Sequence, residues 1–383
     1  MWRLALRQTS GMGTDGARTV GVEEEMLLVD VATGRPRSVA GRVIDAAASG
    51  PPPEAGSEGG VEGELQRYMV EMQSSVCTDL ADVEQELRGW RHRVAVAARE
   101  AGAGSAALGT APLPGDGLIT PKPRYLRMVE RFGPVVHDVL TCGSHVHVSV
   151  DSDEEGVAVI DRIRVWLPVV LALSANSPFS NGQDTGYASY RSQLWLRWPS
   201  AGPTDVFGSA AVYHSLVRSM VDSGVLLDDG MIYFDARLSH RYPTVEIRVA
   251  DVCADLADTM VLAAICRALV ESASQAAAAG EPPLPLPTSL LRMATWQAAH
   301  DGVDGLLLDP ATLRPGPARV VVERLLDQIR PALVSFGDAE RVEEGLERLL
   351  SAGSGATRQR RTFARTGRLV DVVAEAVRLS SGA

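Results

Sequence analysis

The stretch Gly21-Val22-Glu23-Glu24-Glu25-Met26-Leu27-Leu28-Val29-Asp30 sets three consecutive carboxylates inside an otherwise apolar segment. Val20, Val22, Met26 and Leu28 fall at every second position and Leu27 and Val29 fill the gaps, which reads as a buried β-strand near the start of the fold. Successive side chains on a strand point to opposite faces, so Glu23 and Glu25 share one face about 7 Å apart and Glu24 points to the other. Two ionised carboxylates on an inner sheet face repel and lose hydration, which costs several kcal/mol unless cations or arginines compensate. A divalent metal is the simplest compensation. An edge strand with a solvated acidic face is the alternative, and this stretch alone leaves both open.

Working outward, other segments divide in the same way. In Cys142-Gly143-Ser144-His145-Val146-His147-Val148-Ser149-Val150 the valines face a core, while His145, His147 and Ser149 share the opposite face. A lone histidine is usually structural, but two at i, i+2 on the polar face of a valine strand suit a site: neutral imidazole binds metals and its cation binds phosphate. In Tyr233 to Leu238, Asp235 and Arg237 share a face with Tyr233. In Thr244 to Val249, Val245, Ile247 and Val249 form an apolar face and leave Glu246 and Arg248 on the other, where a surface ion pair is the simpler reading of those two alone. The join Ser239-His240-Arg241-Tyr242-Pro243 makes the two strands antiparallel neighbours. Glu62 to Cys77 reads as a helix with Glu64 and Glu71 on one face, or as a strand with Glu71, Gln73 and Ser75 opposite Met72 and Val76. Both readings expose Glu71.

Asp79 is placed to cap a helix running to about Ala101, with Val83, Leu87, Trp90 and Val94 on its apolar face. Leu108 to Pro112 reads as a short strand and turn. Pro123 to Leu140, Val157 to Ala175, 205 to 224 and Leu256 to Ala279 read as helices. Asp184 to Gln193 is dense in hydrogen-bonding groups and is followed by Trp195 and Trp198, which suits a loop closing on a polar ligand better than a solvated one. Glu281 to Pro287 reads as a stiff linker before a helical region to Leu350. Arg358, Arg360 and Arg361 lie in a tail before a last helix, where they reach an anionic ligand or form a solvated basic turn. Residues 1–17 read as a disordered tail, Gly50 to Gly60 as a loop, and 18–383 as a single domain.

The 383 residues are 45% hydrophobic with a mean hydropathy near zero, which describes a soluble globular chain. A net charge of -11 argues against a general nucleic-acid or anionic-membrane surface. No apolar run reaches membrane-spanning length, and Met1 to Arg7 lacks the sustained apolar segment and cleavage site of an export signal, so a cytoplasmic location is expected. Cys77, Cys142, Cys253 and Cys266 form no CxxC pair and read as reduced thiols. The sole lysine, Lys122, sits between prolines. That excludes a P-loop, a kinase-type strand lysine and a pyridoxal Schiff base. Phosphate must then be held by arginines, backbone amides and metal ions.

Taken together, these segments describe a largely antiparallel sheet whose strands bury one aliphatic face and present the other as Glu/Glu, His/His, Asp/Arg and Glu/Arg. Several carboxylates with a histidine suit Mg²⁺ or Mn²⁺, and arginines suit phosphate and carboxylate, so the surface reads as a site for metal-bridged ATP and a carboxylic acid.

Five motifs, Gly21 to Glu25, Gly143 to Val148, Asp184 to Ser192, Thr244 to Asp251 and Arg358 to Arg360, occur in an order and spacing that resembles the carboxylate-amine ligases of the glutamate-cysteine ligase type 2 family. The resemblance covers roughly residues 18–375. It implies an α+β fold with a funnel-like, mainly antiparallel sheet flanked by helices, related to the glutamine synthetase catalytic domain. It also implies a homodimer and an ATP-dependent reaction, with weak glutamate-cysteine ligase activity expected: the glutamate γ-carboxylate takes the γ-phosphoryl group, and the amino group of cysteine or another amine attacks the acyl phosphate. By the same resemblance Glu23, Glu25, Glu71, His145 and Glu246 are the metal and nucleotide-phosphate set, with Glu64 a further ligand. Arg248 meets the transferring phosphate, and Arg191 and Arg237 meet substrate carboxylate or phosphate. His147, Tyr187, Arg358 and Arg360 bind substrate or nucleotide. Two departures stand out: Ser144 where the family often has Cys, and Arg237-Leu238-Ser239 where it often has Arg-Pro-Ser, beside an expected substrate arginine. A non-catalytic binding descendant and a metal-dependent hydrolase are the alternatives. Retention of the acidic, His and Arg strands weighs against the first, and two histidines are few for the second.

Overall fold

A computed structural model describes residues 18–49 and 58–381. The expected tail at 1–17 and most of the loop after Gly50 lie outside the described residues. The described residues hold eleven strands: β1 Val20–Val29, β2 Gly60–Gly63, β3 Met69–Gln73, β4 Gly104–Ala106, β5 Gly143–Ser149, β6 Phe179–Ser180, β7 Gln183–Asp184, β8 Ala236–Leu238, β9 Thr244–Asp251, β10 Leu306–Asp309 and β11 Arg314–Pro317. Seven of them form one open sheet in the order β2-β3-β1-β5-β9-β8, with β4 joined to the end of β1. Every pairing in it is antiparallel. The other four strands make two small hairpins.

The alternation in β1 is what the sequence pattern requires: Val20, Val22, Met26 and Leu28 are buried on one face, and Glu23 and Glu25 stand on the other. Val146, Val148, Val245 and Ile247 continue the apolar face across β5 and β9, where the helices Leu80–Glu100, Asp153–Ile163 and Leu256–Ala278 cover it. Burying each such side chain contributes about 1.5–3 kcal/mol. Glu24 lies on this covered face and is fully buried. Arg91 of the Leu80–Glu100 helix meets it with two bonds of 2.7 and 2.6 Å, and the Thr259 hydroxyl donates a third at 2.7 Å.

Glu62 to Cys77 is extended, not helical: β2 and β3 form a hairpin that lays Glu71 opposite Glu25 of β1. Val76, beyond the end of β3, is exposed. Five segments differ from expectation. The strand placed at Leu108 to Pro112 is Gly104–Ala106 instead, and Thr110 makes only an isolated bridge to Thr141. The helix from Pro123 breaks at Gly133, whose φ of 55° suits glycine, and restarts at Pro134. The apolar run to Ala175 is two helices, Asp153–Ile163 and Leu167–Ser174; Pro168 lacks the N–H that would continue the first. The hairpin β10–β11 interrupts the helical region after Pro287, and Arg358 and Arg360 lie within the helix Gly355–Thr366. No described helix is long and apolar enough to cross a membrane.

Removing Arg91 alone leaves a carboxylate buried and uncompensated, so Arg91→Ala is expected to cost about 3–5 kcal/mol in urea denaturation. The double change Glu24→Leu/Arg91→Leu removes both charges and is expected to cost much less. A double variant no more stable than the single one would rule out charge burial as the cause.

Candidate active site

The opposite face of the sheet collects charge from five strands. Strand register sets Glu25 of β1 opposite Glu71 of β3, and Glu23 opposite His145 of β5. His147 lies opposite Glu246 of β9, which in turn faces Arg237 of β8. The β5–β9 register shifts between Ser144 and Val146, so Arg248 and Val249 together span the width opposite His145. Such a bulge re-aims side chains. Arg248, two residues beyond Glu246 on the same strand, bonds its carboxylate.

The carboxylate end is dense. Ligand atoms of Glu23, Glu71 and His145 lie within 4.8 Å of one another, as do those of Glu23, His147 and Glu246, and those of Glu25, Glu64 and Glu71. His145 Nδ1 is 3.0 Å from Glu23 Oε2, and His147 Nε2 is 3.4 Å from Glu23 Oε1. Burial, with Arg248 nearby, pushes the pKa of His145 down to about 4. The neutral ring donates from Nδ1 to Glu23, which leaves Nε2 as a buried lone pair with no hydrogen-bond partner. His147 has its Nδ1 3.0 Å from the Thr244 hydroxyl, and although burial opposes it, Glu246 and Glu23 raise its pKa. Burial would raise Glu23 as well, but its hydrogen bonds with His145 and His147 hold it well below the usual carboxylate range.

Glu25 and Glu71 behave in the opposite way. Burial and the neighbouring Glu64 push Glu25 up to about 7. Burial and then the carboxylates of Glu23, Glu64 and Glu25 raise Glu71 well above the usual carboxylate range. Protonation is how the ligand-free site tolerates crowded acids. An oxygen-rich cluster with one unprotonated imidazole nitrogen fits a hard divalent cation such as Mg²⁺ or Mn²⁺.

The arginine end lies at β8 and β9. Arg237 holds both oxygens of Glu246, at 2.7 and 3.2 Å, and gives its remaining Nη to the Ile232 carbonyl. Arg248 also bonds Glu246, whose pKa falls well below normal because Arg248 and Arg237 outweigh its burial. Arg191, at 2% exposure, reaches the carbonyls of Val249 and Arg248 and lies over Trp195 with its Cζ 5.7 Å from the ring centroid. Gly143 makes room for it, since a Cβ there would collide with the Arg191 guanidinium.

Glu23, Glu25, Glu64, Glu71, His145, His147, Glu246, Arg191, Arg237 and Arg248 therefore line one face or its edge. Three expected residues are elsewhere. Tyr187 packs against Tyr190, Trp296 and His300. Arg358 pairs with Asp258 at 2.9 Å. Arg360 pairs with Asp184 at 2.7 Å and donates to the Tyr187 carbonyl. Asp251 was not among the expected site residues, yet it accepts from Asn176 N, Ser177 Oγ and Ser189 Oγ and so ties the loop before Arg191 to the end of β9. The run of small polar residues before Arg191 is the one sequence signal that pointed to it.

A family model described as glutamate-cysteine ligase family 2 matches residues 19–375. A Streptomyces coelicolor protein carrying the provisional name glutamate-cysteine ligase 2 is 51% identical over 366 residues, 96% of this chain and 100% of its own. A Streptomyces avermitilis protein with a similar provisional name is 50% identical over 365 residues, 95% of this chain and 100% of its own. Among solved structures, the glutamate-cysteine ligase of Francisella tularensis in complex with AMP has a TM-score of 0.71 over 96% of this chain and 89% of that one, at 11% identity. That likeness is one of fold.

A group whose folded pKa is raised supports the fold fully below its unfolded value and loses that support as pH rises through the folded value. Raised Glu25 and Glu71 thus predict that the ligand-free melting temperature falls as pH climbs from about 5 past 7. Glu71→Gln is expected to flatten this slope, as is millimolar Mg²⁺ added to the unchanged protein. Thermal unfolding across that range checks both, and a slope indifferent to Glu71 would mean that crowding of these carboxylates is not its origin.

Proposed function

The chain belongs to glutamate-cysteine ligase family 2, and from that we propose that it is an ATP-dependent carboxylate-amine ligase. The reading we favour joins the γ-carboxyl group of L-glutamate to the amino group of L-cysteine through γ-glutamyl phosphate. The main support is the meeting, on one sheet face, of a carboxylate-histidine cluster with buried arginines.

Glu23, Glu25, Glu71, His145 and Glu246, with Glu64 at the edge, would hold Mg²⁺ or Mn²⁺. Bound there, the cation supplies charge neutralisation for the ATP phosphates. The chain's own groups account for the rest. A carboxylate is a poor electrophile, and phosphorylation gives it a leaving group, so the protein has to align and neutralise phosphoryl oxygens. Arg248 keeps its Nε buried without a partner and is suited to the transferring phosphoryl group. Arg191 likewise keeps a free Nε for a substrate carboxylate. Arg237 is saturated by Glu246 and the Ile232 carbonyl, which gives it the task of orienting Glu246. His147, between Glu23 and Glu246, adds positive charge where phosphate oxygens would lie.

The test is Mg²⁺-dependent ADP release with amino acids offered singly and in pairs with glutamate, with mass spectrometry of the product. The wild type is expected to release ADP with glutamate and cysteine and to form γ-glutamylcysteine, and Glu23→Gln/Glu25→Gln is expected to lose about a thousandfold. A different productive pair would keep the reaction class and change the substrate. No ADP release with any pair, while ATP still binds, would sink the ligase reading.

Arg248→Lys retains charge but loses the planar fork. It is expected to lower kcat by about 10²–10³ with little change in the KM for glutamate. Steady-state kinetics separate the two terms, and a change confined to KM would move Arg248 from the phosphoryl group to ground-state binding.

A further inference from the structure

Asp235 has no part in the carboxylate-histidine cluster, yet it shares a cavity with two of the arginines. The cavity measures about 20 Å³ and is lined by Arg191, Ser192, Trp195, Phe234, Asp235 and Arg248 with apolar neighbours. A space of that size takes roughly one water-sized group. Backbone pairing fixes Asp235 there, because its carbonyl accepts from Arg248 N at 2.9 Å. Trp195 spaces the two guanidinium groups, whose Cζ atoms stand 5.7 and 5.9 Å from its ring centroid.

These charges do not satisfy one another. Among the described residues no hydrogen bond or ion pair reaches the Asp235 carboxylate, and the Nε groups of Arg191 and Arg248 are buried without partners. Burial pushes Asp235 up to about 7, against the pull of Arg191. The half-buried Asp235 carboxylate and the buried guanidinium groups line one small space without touching, and the two guanidinium Nε groups are short of an acceptor. The carboxylate needs a donor. The guanidinium Nε groups need acceptors. A primary ammonium has the volume of a water molecule, three donors and the charge to match Asp235, and in an amino acid it is joined within a few bonds to a carboxylate that suits arginine.

We propose that Asp235 is the ammonium-binding residue of this site: it receives the primary amino group of an amino-acid substrate while Arg191 meets that substrate's carboxylate and Arg248 stays with the phosphoryl group. The assignment rests on the ligase reading for its choice of substrates, and two sources share the chemistry: the acid that is activated, or the amine that attacks it. The activated acid would use Asp235 to fix which of its carboxylates faces ATP. The attacking amine would pass an ammonium proton to the Asp235 carboxylate, which frees its nitrogen lone pair for the acyl carbon while phosphate leaves beside Arg248.

Calorimetry with Mg²⁺-ADP present decides between them, using L-glutamate against glutarate and L-2-aminobutyrate against butyrate. The wild type is expected to bind the amino member of one pair at least tenfold more tightly, and Asp235→Asn to abolish that preference while Mg²⁺-ADP affinity stays the same. Loss in the glutamate pair assigns the ammonium to the activated acid, and loss in the aminobutyrate pair assigns it to the acceptor. Absence of any preference in the wild type, or its survival in Asp235→Asn, overturns the proposal. Thermal unfolding above about pH 8 guards against a purely structural role. The variant is expected to melt at or above the wild type because a half-buried unpaired charge is gone, and a melting point several degrees lower would also overturn the assignment. Wild-type protein that shows the amino preference but never releases ADP would count against the ligase reading and leave Asp235 as assigned.

Discussion

Arg91 reaches across the covered face of the sheet to neutralise Glu24, and the same guanidinium donates to the carbonyls of Cys253 and Ala254 just beyond β9. One side chain therefore ties the strand of the carboxylates to the exit of the strand that carries Glu246 and Arg248. The pair also sits where two apolar clusters meet: Val20 and Val22 belong to one, Met26 and Leu28 to the other. Because a strand has a period of two, holding Glu24 inward holds Glu23 and Glu25 outward. A one-residue slip would bury Glu23 and Glu25 where only one carboxylate has a partner. A buried pair adds little net stability, since desolvation offsets most of its Coulombic gain. What it contributes here is phase.

With that phase fixed, the open face carries more charge than a resting protein requires, and its two ends cope in different ways. At β1 and β3 the crowded carboxylates hold protons. At β8 and β9 the arginines enclose Glu246 so tightly that it stays ionised. His145 and His147 stand between the two regimes and shift in opposite directions: burial, with Arg248, lowers the first, whereas Glu246 and Glu23 raise the second against its burial. Neither end is relaxed. Local rules of stability are broken where a cation and anionic oxygens would repair them, which is the pattern of a surface built to bind.

The strands were legible because alternation is local: Val20 to Leu28 and Cys142 to Val150 each declare two faces without reference to any partner. Lateral neighbours were not. Glu246 and Arg248 looked like a surface ion pair, and only the position of β9 between β5 and β8 shows Glu246 at 2% exposure between two guanidinium groups. Arg91 was hidden among the charges of a helix whose apolar face is the stronger signal. The Leu306-Leu307-Leu308 run was missed as a strand because a short apolar run has no period to separate strand from buried helix. Asp235 was visible as a face residue, but its lack of a partner is a fact of packing and has no local signature.

In the Arg358-Gln359-Arg360 motif the residue between the two expected arginines makes the buried contacts. Its arginines turn outward to Asp258 and Asp184, while Gln359 is buried and donates to both the side-chain and backbone oxygens of Asn176. Asn176 in turn donates to the carbonyls of Ala107 and Val252, and its N–H goes to Asp251. Ser177 and Ser189 donate to that carboxylate as well. A chain of satisfied buried polar groups thus runs from the helix Gly355–Thr366 through Asn176 to the end of β9, and the loop that leads into Arg191 hangs from it. Such networks rigidify only when every member is paired. The buried Asn and Gln therefore constrain where the Arg191 guanidinium lies beneath Gly143, and the flanking arginines keep the helix that delivers Gln359 in place.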